Sequence, residues 1–190
     1  VRLKYGYLNR ELSKNAFAIN GLAANWRLGM LHTVVVDHME TFWPRGWGQV
    51  GTERNGFFSS ADVGTSALFT LPNHRGEVYT TVVNGSGYAA AETDRFKDVA
   101  ARVTMTPFAN RTGGVLKTLN VTPWYSMGRT ASAFVLGGAG QVGPVSEGLQ
   151  KDRRGLWVAV KDRKLTGAVE YAQRVEGIES GAKSEGQAVL

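Results

Sequence analysis

One short stretch constrains the fold of this chain more than any other. In FKDVAARVTMTP, residues 96–107, Asp98 and Arg102 share one parity of the chain, and Val99 and Val103 share the other. Side chains alternate between two faces along a β-strand, whereas in an α-helix they recur about every 3.6 residues. Only a strand places the charged and the apolar side chains on different faces, so the stretch predicts a strand between an apolar and an aqueous environment.

The same alternation recurs along the chain and predicts an all-β fold. It is clear in residues 2–8, 60–71 and 165–174, and weaker in residues 25–33, 77–85, 116–125 and 154–161. Together with the stretch above, these segments give about eight strands, each near the nine to eleven residues that cross a bilayer when tilted.

The connections between the predicted strands alternate in length. Short turns are expected at residues 72–76, 108–114 and 162–164, and long loops at residues 33–58 and 126–153. Outer-membrane barrels have short turns on one side of the membrane and long loops on the other. We therefore expect residues 1–190 to be a single region of an antiparallel transmembrane β-barrel.

Such a barrel explains why charge and apolar side chains alternate. Val99 and Val103 would face lipid, and Asp98 and Arg102 a water-filled lumen. A charge on the lipid side costs about 2 to 4 kcal/mol at the bilayer midplane. The charged parity is therefore expected inside.

Composition limits the possible partners. The 24 glycines and 10% aromatic residues suit short strands and turns, and the absence of cysteine excludes disulfides and thiolate metal sites. The formal net charge of +6 permits anionic partners. Because the basic residues are scattered and no nucleic-acid-binding pattern accompanies them, no nucleic-acid partner is expected.

Several stretches resemble one membrane-protein family. VRLKYGYLN, LGMLHTVVVDHMETFW, FFSSADVGTSALF, VVNGSGYAAAETDRFKDVAARVTMTPF and LTGAVEYAQR are together similar to the phosphate-selective (O/P-like) porins of Gram-negative outer membranes, in the family's order over residues 1–174. SSADVG, VNGSGY and KDVAARVTMTP are the most specific. The resemblance implies a sixteen-stranded homotrimeric barrel, in contact with outer-membrane lipid and lipopolysaccharide, that passes small anions such as phosphate through a basic constriction.

The sequence departs from the family pattern in two ways. About eight strands are half of such a barrel, and the chain ends in GQAVL, whereas family barrels end in a strand with a terminal aromatic residue. We therefore expect a fragment of the full barrel.

The side chains expected to line the pore lie on the polar parity of the predicted strands. They are Arg2, Lys4, Arg27, Asp62, Asp98, Arg102, Glu170 and Arg174. The five basic side chains outnumber the three acidic ones, so we expect passive diffusion with a preference for anions such as phosphate. In residues 2–8 this parity places Tyr5 and Tyr7 on the apolar side.

The long loop of residues 33–58 is a candidate constriction. Porins fold such a loop inward, and Arg45 and Arg54 would then contact anions, since the guanidinium group suits phosphate. The alternative is an external loop whose tryptophans lie at the lipid headgroups.

Three other patterns are weaker. A metal site is suggested by His32, Asp37, His38 and Glu40, but their spacing matches no known motif, so no metal is expected. A dinucleotide site is suggested by Gly138, Gly140 and Gly143, but Pro144, Gly148 and Gly155, which follow, exclude the helix it needs, so no cofactor is expected. Catalytic carboxylates among Asp62, Asp98 and Glu170 would come from separate strands, and we expect no enzyme.

Two alternatives to a porin remain open at this point. A soluble antiparallel sandwich that binds a ligand would bury the apolar parity in a protein core. A structural outer-membrane barrel would share the porin's fold without conducting.

Overall fold

The fold is an antiparallel β-sheet whose strands follow one another in chain order. The computed structural model describes residues 5–13, 20–92, 94–130, 148–177 and 183–189. The strands are β1 (Gly6–Ser13), β2 (Ala23–His32), β3 (Ala61–Thr70), β4 (Gly76–Val83), β5 (Asp98–Met105), β6 (Asn120–Met127), β7 (Arg129–Thr130), β8 (Leu149–Lys161), β9 (Thr166–Gly177) and β10 (Lys183–Val189). Two short helices, α1 (Val36–Glu40) and α2 (Gly51–Arg54), lie between β2 and β3, and 3-10 turns cover Arg45–Trp47, Pro72–His74 and Val115–Thr118.

Each strand pairs with its neighbours in sequence. The order is β1-β2-β3-β4-β5-β6-β8-β9-β10, every pairing is antiparallel, and the short β7 pairs with the start of β8. The prediction of an all-β antiparallel chain is confirmed. Each predicted strand overlaps a strand of the sheet, although the first, predicted at residues 2–8, shares only residues 6–8 with β1. Among the residues that the structure describes, no pairing joins β1 to β10, so the sheet is open.

The two faces of the sheet differ in chemistry. Residues directly opposite each other in an antiparallel pair share a face, and Arg102 of β5 lies opposite Tyr79 of β4 and Trp124 of β6. We call the face that carries Arg102 the inner face and the face that carries Val103 the outer face. The exposed apolar side chains of the outer face are Leu8, Trp26, Leu28, Val63, Val82, Val99, Val103, Met105, Tyr125, Met127, Leu156, Val169 and Tyr171.

The strand β5 shows the alternation that its sequence predicted. Asp98 and Arg102 are only 7% and 4% exposed, whereas Val99 and Val103 are 42% and 38% exposed. Soluble proteins bury apolar side chains and expose charged ones. In β5 the order is reversed.

The long segment between β2 and β3 covers the inner face. We call residues 33–60 the inner segment; its base is closed by a hydrogen bond from the Thr33 N–H to the Ser60 carbonyl, 3.2 Å long. Its buried apolar side chains pack with inner-face residues of the sheet in one cluster: Val34, Val35, Val36, Met39, Val50 and Phe57 with Tyr79, Ala100, Trp124, Trp157, Ala159 and Ala172. Each fully buried valine or phenylalanine stabilises this contact by about 1.5 to 3 kcal/mol.

A glycine makes room for one of the aromatic residues in this cluster. Gly155 of β8 lies opposite Trp124 of β6. A Cβ at Gly155 would meet the Trp124 ring and the Tyr171 carbonyl. The glycine therefore lets the indole lie across the neighbouring strand, beneath the inner segment.

The structure corrects several predicted boundaries. The connection of residues 106–119 is as long as that of residues 84–97, so the expected short turn after β5 is absent from the described chain. β6 continues to Met127 and β8 begins at Leu149, so the loop expected at residues 126–153 is shorter than predicted. β7 and β10 were not predicted at all.

The predicted parity of β1 is also wrong. Tyr7 lies opposite Gly29, which shares the inner face with Arg27. The Arg27 guanidinium lies 5.3 Å from the centroid of the Tyr7 ring. A tyrosine ring attracts a cation, so Tyr7 packs favourably against Arg27 on the charged inner face.

Candidate functional site

The candidate site is the inner face together with the inner segment that lies on it. Side chains of the sheet bind the segment's backbone at three places. Lys161 donates to the Thr41 carbonyl, Arg153 donates to the Phe57 carbonyl, and Glu170 accepts from the Thr52 N–H. Since these bonds come from β8 and β9, the segment is held against one wall of the sheet.

Glu170 holds the helix α2. Its Oε1 atom lies 3.1 Å from the Thr52 backbone nitrogen. The first N–H groups of a helix have no partner within the helix, so a carboxylate satisfies one of them. Thr52 and Glu170 are 1% and 2% exposed. The buried charge is thus tolerated because it is hydrogen-bonded.

A first polar cluster lies at the strand ends nearest the inner segment's base. We call Asp62, Asp98, Lys151 and Arg153 the Asp98 cluster. Lys151 Nζ lies 2.7 Å from Asp98 Oδ2 and donates to the Gly85 carbonyl over 2.8 Å. These four side chains line a cavity of about 190 Å³ beside Phe57 and Phe58.

Asp62 and Arg153 connect this cluster to the surrounding loops. The Asp62 carboxylate accepts hydrogen bonds from the N–H groups of Gly85 and Gly87, at 2.8 and 3.1 Å. Arg153 also donates to Glu176 Oε1, 3.1 Å away. Both charges therefore fix loop and segment positions as well as lining the cavity.

A second polar cluster lies towards the other end of the strands. We call His38, Glu77, Arg102, Thr104, Asn120 and Thr122 the Arg102 cluster. The buried Arg102 is ion-paired with Glu77, donates to Thr104 Oγ1 over 3.2 Å, and lies 5.1 Å from the Tyr79 ring centroid. All members of the cluster except Thr122 line a cavity of about 460 Å³.

His38 brings the inner segment into the Arg102 cluster. Its Nε2 atom lies 3.0 Å from Asn120 Oδ1 and 3.1 Å from Thr122 Oγ1. Burial lowers the pKa of His38 below its ordinary value, and the positive charge of Arg102 lowers it further; the Asn120 hydrogen bond, Glu77 and Asp37 act in the opposite direction. The neutral imidazole is therefore the form that fits the site.

The two arginines of the predicted constriction loop differ in surroundings. Arg45 is ion-paired with Glu40 and Glu53, so its charge is neutralised within the inner segment. Arg54 is exposed, and within the described part of the chain it forms no ion pair. It lines a surface cavity with Trp43, Trp157 and Glu170.

The structure places most of the predicted pore-lining residues on one face. Arg27, Asp62, Asp98, Arg102, Glu170 and Arg174 all lie on the inner face. Asp98 and Asp62 meet in the Asp98 cluster, whereas Arg102 and Glu170 line two different cavities. Arg2 and Lys4 lie outside the described residues.

Sequence reasoning missed several inner-face charges. They are Glu11, Glu77, Lys151, Arg153, Lys161 and Glu176. Glu77 has the same parity as Tyr79 in a segment that was already predicted as a strand, so parity alone could have identified it. Lys151 and Arg153 were missed because their residues were assigned to a loop.

The remaining sequence patterns do not form sites in the described residues. No group of three or more histidine, aspartate or glutamate side chains there is placed to hold a metal ion. His32 Nδ1 lies 3.9 Å from Asp37 Oδ2, while His38 belongs to the Arg102 cluster. Gly138, Gly140 and Gly143 lie outside the described residues.

Comparisons with known proteins add no relative. No protein-family model, no curated protein and no solved structure matches the chain. In the part of the chain that the structure describes, no helix has the length and apolar character needed to cross a membrane.

Proposed function

We propose that this chain is part of an outer-membrane porin of a Gram-negative bacterium, through which small hydrophilic solutes diffuse passively, with a preference for anions such as phosphate. The observation that carries the proposal is the chemistry of the two sheet faces. Charged side chains lie on the inner face under the inner segment, and valine, leucine, methionine and aromatic side chains lie exposed on the outer face. Lipid is the solvent in which an exposed apolar face is stable.

The open sheet fits this proposal as part of a closed barrel. Edge strands in a membrane must be paired, because an unpaired N–H or C=O group costs several kcal/mol in hydrocarbon. β1 and β10 would therefore pair with further strands on either side. The inner segment would then lie inside the barrel and narrow the passage.

Anion preference depends on which charged side chains of the inner face are not offset by a nearby opposite charge. The inner-face charges that the sequence missed have both signs, since Lys151, Arg153 and Lys161 add to the predicted basic excess and Glu11, Glu77 and Glu176 reduce it. The carboxylates of Asp62 and Glu170 accept hydrogen bonds from backbone N–H groups, and the charge of Asp98 is offset by Lys151. Among the described residues, Arg54 remains an exposed cation without a carboxylate partner, so we expect it to attract anions.

Recording from planar bilayers tests the proposal. The protein, purified in detergent and added to a bilayer under a KCl gradient, is expected to conduct with a reversal potential that shows anion preference. A reversal potential that shows cation preference would reject the anion selectivity. A protein that inserts into the bilayer but gives no single-channel current would reject the porin function. A protein that stays dispersed without detergent would favour the soluble binding module instead.

Two arginine variants locate the selectivity. Arg54→Gln is expected to shift the reversal potential towards zero, because it removes an unpaired cation beside the passage. Arg45→Gln is the matched control, since Glu40 and Glu53 already neutralise Arg45. Equal shifts in both variants would contradict this assignment.

A further inference from the structure

A cavity of about 210 Å³ lies between the inner segment and the part of the sheet that β8 and β9 form. Most of the residues that line it are apolar: Trp43, Val50 and Gly51 come from the inner segment, and Trp157 and Ala168 from the sheet. An apolar cavity of about 150 Å³ is large enough to hold benzene. This cavity therefore has room for one aromatic ring and a small substituent.

The cavity also carries a positive charge that no carboxylate neutralises within the described part of the chain. Arg54 lines it and is exposed, so its guanidinium is accessible to a ligand. Gln49, which is exposed as well, offers an amide N–H in the same lining. A carboxylate is the anion that fits a single guanidinium best, because two parallel N–H···O bonds satisfy both of its oxygens.

Glu170 lines the cavity too, but its carboxylate is bound to α2. Its Oε1 atom accepts the hydrogen bond from the Thr52 N–H, and the residue is 2% exposed. The exposed Arg54 rather than the buried carboxylate therefore determines the sign of charge that the cavity attracts. The edge of an aromatic ring carries a partial positive charge, so a ring can lie against the carboxylate without repulsion.

The two aromatic walls of the cavity are held in place by contacts of their own. The Trp43 N–H donates to the Met39 carbonyl over 2.9 Å, and the Trp43 ring packs against that of Trp47, with 5.4 Å between centroids. Trp157 is 4% exposed and packs against Phe42, with 6.3 Å between centroids. A cavity that is formed before its ligand arrives has a smaller entropic cost of binding than one that must be ordered.

We propose that this cavity binds aromatic monocarboxylates, with the ring against Trp43 and Trp157 and the carboxylate on Arg54. Inorganic phosphate fits the cavity less well, because apolar walls leave most of its oxygens without donors and their removal from water is costly. The site names a second class of anion for the passage, and its role in transport rests on the porin function proposed above.

Calorimetric titration of the detergent-purified protein tests the site without requiring conduction. Benzoate has both a ring and a carboxylate, whereas acetate lacks the ring, benzyl alcohol lacks the charge, and inorganic phosphate lacks an apolar part. Benzoate is expected to bind about tenfold more tightly than each of the other three, since the loss of a charged hydrogen bond or of a buried ring corresponds to about that factor. Equal affinity for benzoate and any of the three would overturn the proposal.

An arginine pair tests the contact with the carboxylate. Arg54→Gln is expected to weaken the binding of benzoate about tenfold and to leave that of benzyl alcohol unchanged. Arg45→Gln is the matched control, because Arg45 is ion-paired with Glu40 and Glu53 and lies outside the cavity lining. Equal losses in the two variants would overturn the assignment of the carboxylate to Arg54.

A tryptophan pair tests the contact with the ring. Trp43→Leu is expected to weaken the binding of benzoate about fivefold, because the aromatic contact is lost while an apolar side chain remains. Trp47→Leu is the matched control, since Trp47 is exposed and lies outside the cavity lining. A loss in Trp47→Leu as large as that in Trp43→Leu would contradict the placement of the ring.

A cavity-filling variant covers the case in which the tryptophan variants do not fold. Ala168 is exposed, so a larger side chain there is expected to leave the fold intact. Ala168→Leu would occupy the space of the ligand ring and is expected to abolish the binding of benzoate. Unchanged affinity in Ala168→Leu would overturn the proposal.

Bilayer recording separates the site from the porin function. In a conducting protein, benzoate is expected to interrupt the KCl current at concentrations near its dissociation constant, and Trp43→Leu to shorten the interruptions. A protein that conducts but binds no benzoate would overturn the site and leave the porin function standing. A protein that binds benzoate but inserts without conducting would overturn the porin function and leave the site standing.

Discussion

The two faces of the sheet are made by neighbouring residues of the same strands, and they obey opposite rules. Arg102 is 4% exposed and Val103, one residue later, is 38% exposed. In a soluble sheet the valine would be buried and the arginine solvated. The difference shows that alternation sorts residues into two sets, while the surroundings of each face decide which set is covered.

The inner face tolerates buried charge because each charge has a partner there. Arg102 is paired with Glu77, Lys151 with Asp98, and Glu170 with the Thr52 N–H. Such bonds offset the cost of removing a charge from bulk water. The outer face has no such groups along the middle of β5, where Val99, Ala101 and Val103 follow one another at every second position.

The largest effect is expected from a charge on the outer face. Val103→Arg is expected to lower the free energy of unfolding from lipid vesicles by about 2 to 4 kcal/mol, because the arginine would face hydrocarbon. Denaturant titration in vesicles measures it, with Val103→Leu as the apolar control. An unchanged stability would show that the outer face does not contact lipid.

A smaller effect is expected from removing the neighbouring charge on the inner face. Arg102→Met is expected to cost about 2 kcal/mol, below the 3 to 5 of a fully buried pair, since the Glu77 side chain is 25% exposed. The double variant Arg102→Met, Glu77→Leu is expected to regain most of that loss, because no unpaired carboxylate remains. A double variant no more stable than the single one would mean that Arg102 acts through its packing on Tyr79.

The strands could be predicted because their signal is local. In β5 the period of two is carried by every residue from Asp98 to Met105, and in β9 Val169 and Glu170 lie on the faces that the sequence predicted. β10 was missed because KSEGQAV is polar and reads as a loop. It pairs with β9 through its backbone, which composition does not reveal.

The candidate site was less predictable because it depends on contacts between distant residues. Leu68 is an apolar residue among the polar inner-face positions of β3, and only the structure shows that it packs against the apolar cluster beneath the inner segment. The partners of Glu170 and Arg153 are backbone groups of Thr52 and Phe57, far away in sequence. The sequence shows which residues are charged, whereas the fold determines which group each charged side chain binds.

The smallest effect is expected from a neutral replacement on β9, where the same comparison can be made between adjacent residues. Glu170→Gln keeps an acceptor for the Thr52 N–H but removes its charge, so a weaker hydrogen bond and a smaller desolvation cost offset each other and the free energy of unfolding should change by less than about 1 kcal/mol. The weaker hydrogen bond is expected to increase the fluctuations of single-channel current as α2 loosens. Tyr171→Phe, on the outer face, is the matched control and should leave the current unchanged. If Tyr171→Phe changed the current as much as Glu170→Gln, the inner segment would not depend on the inner face for its position.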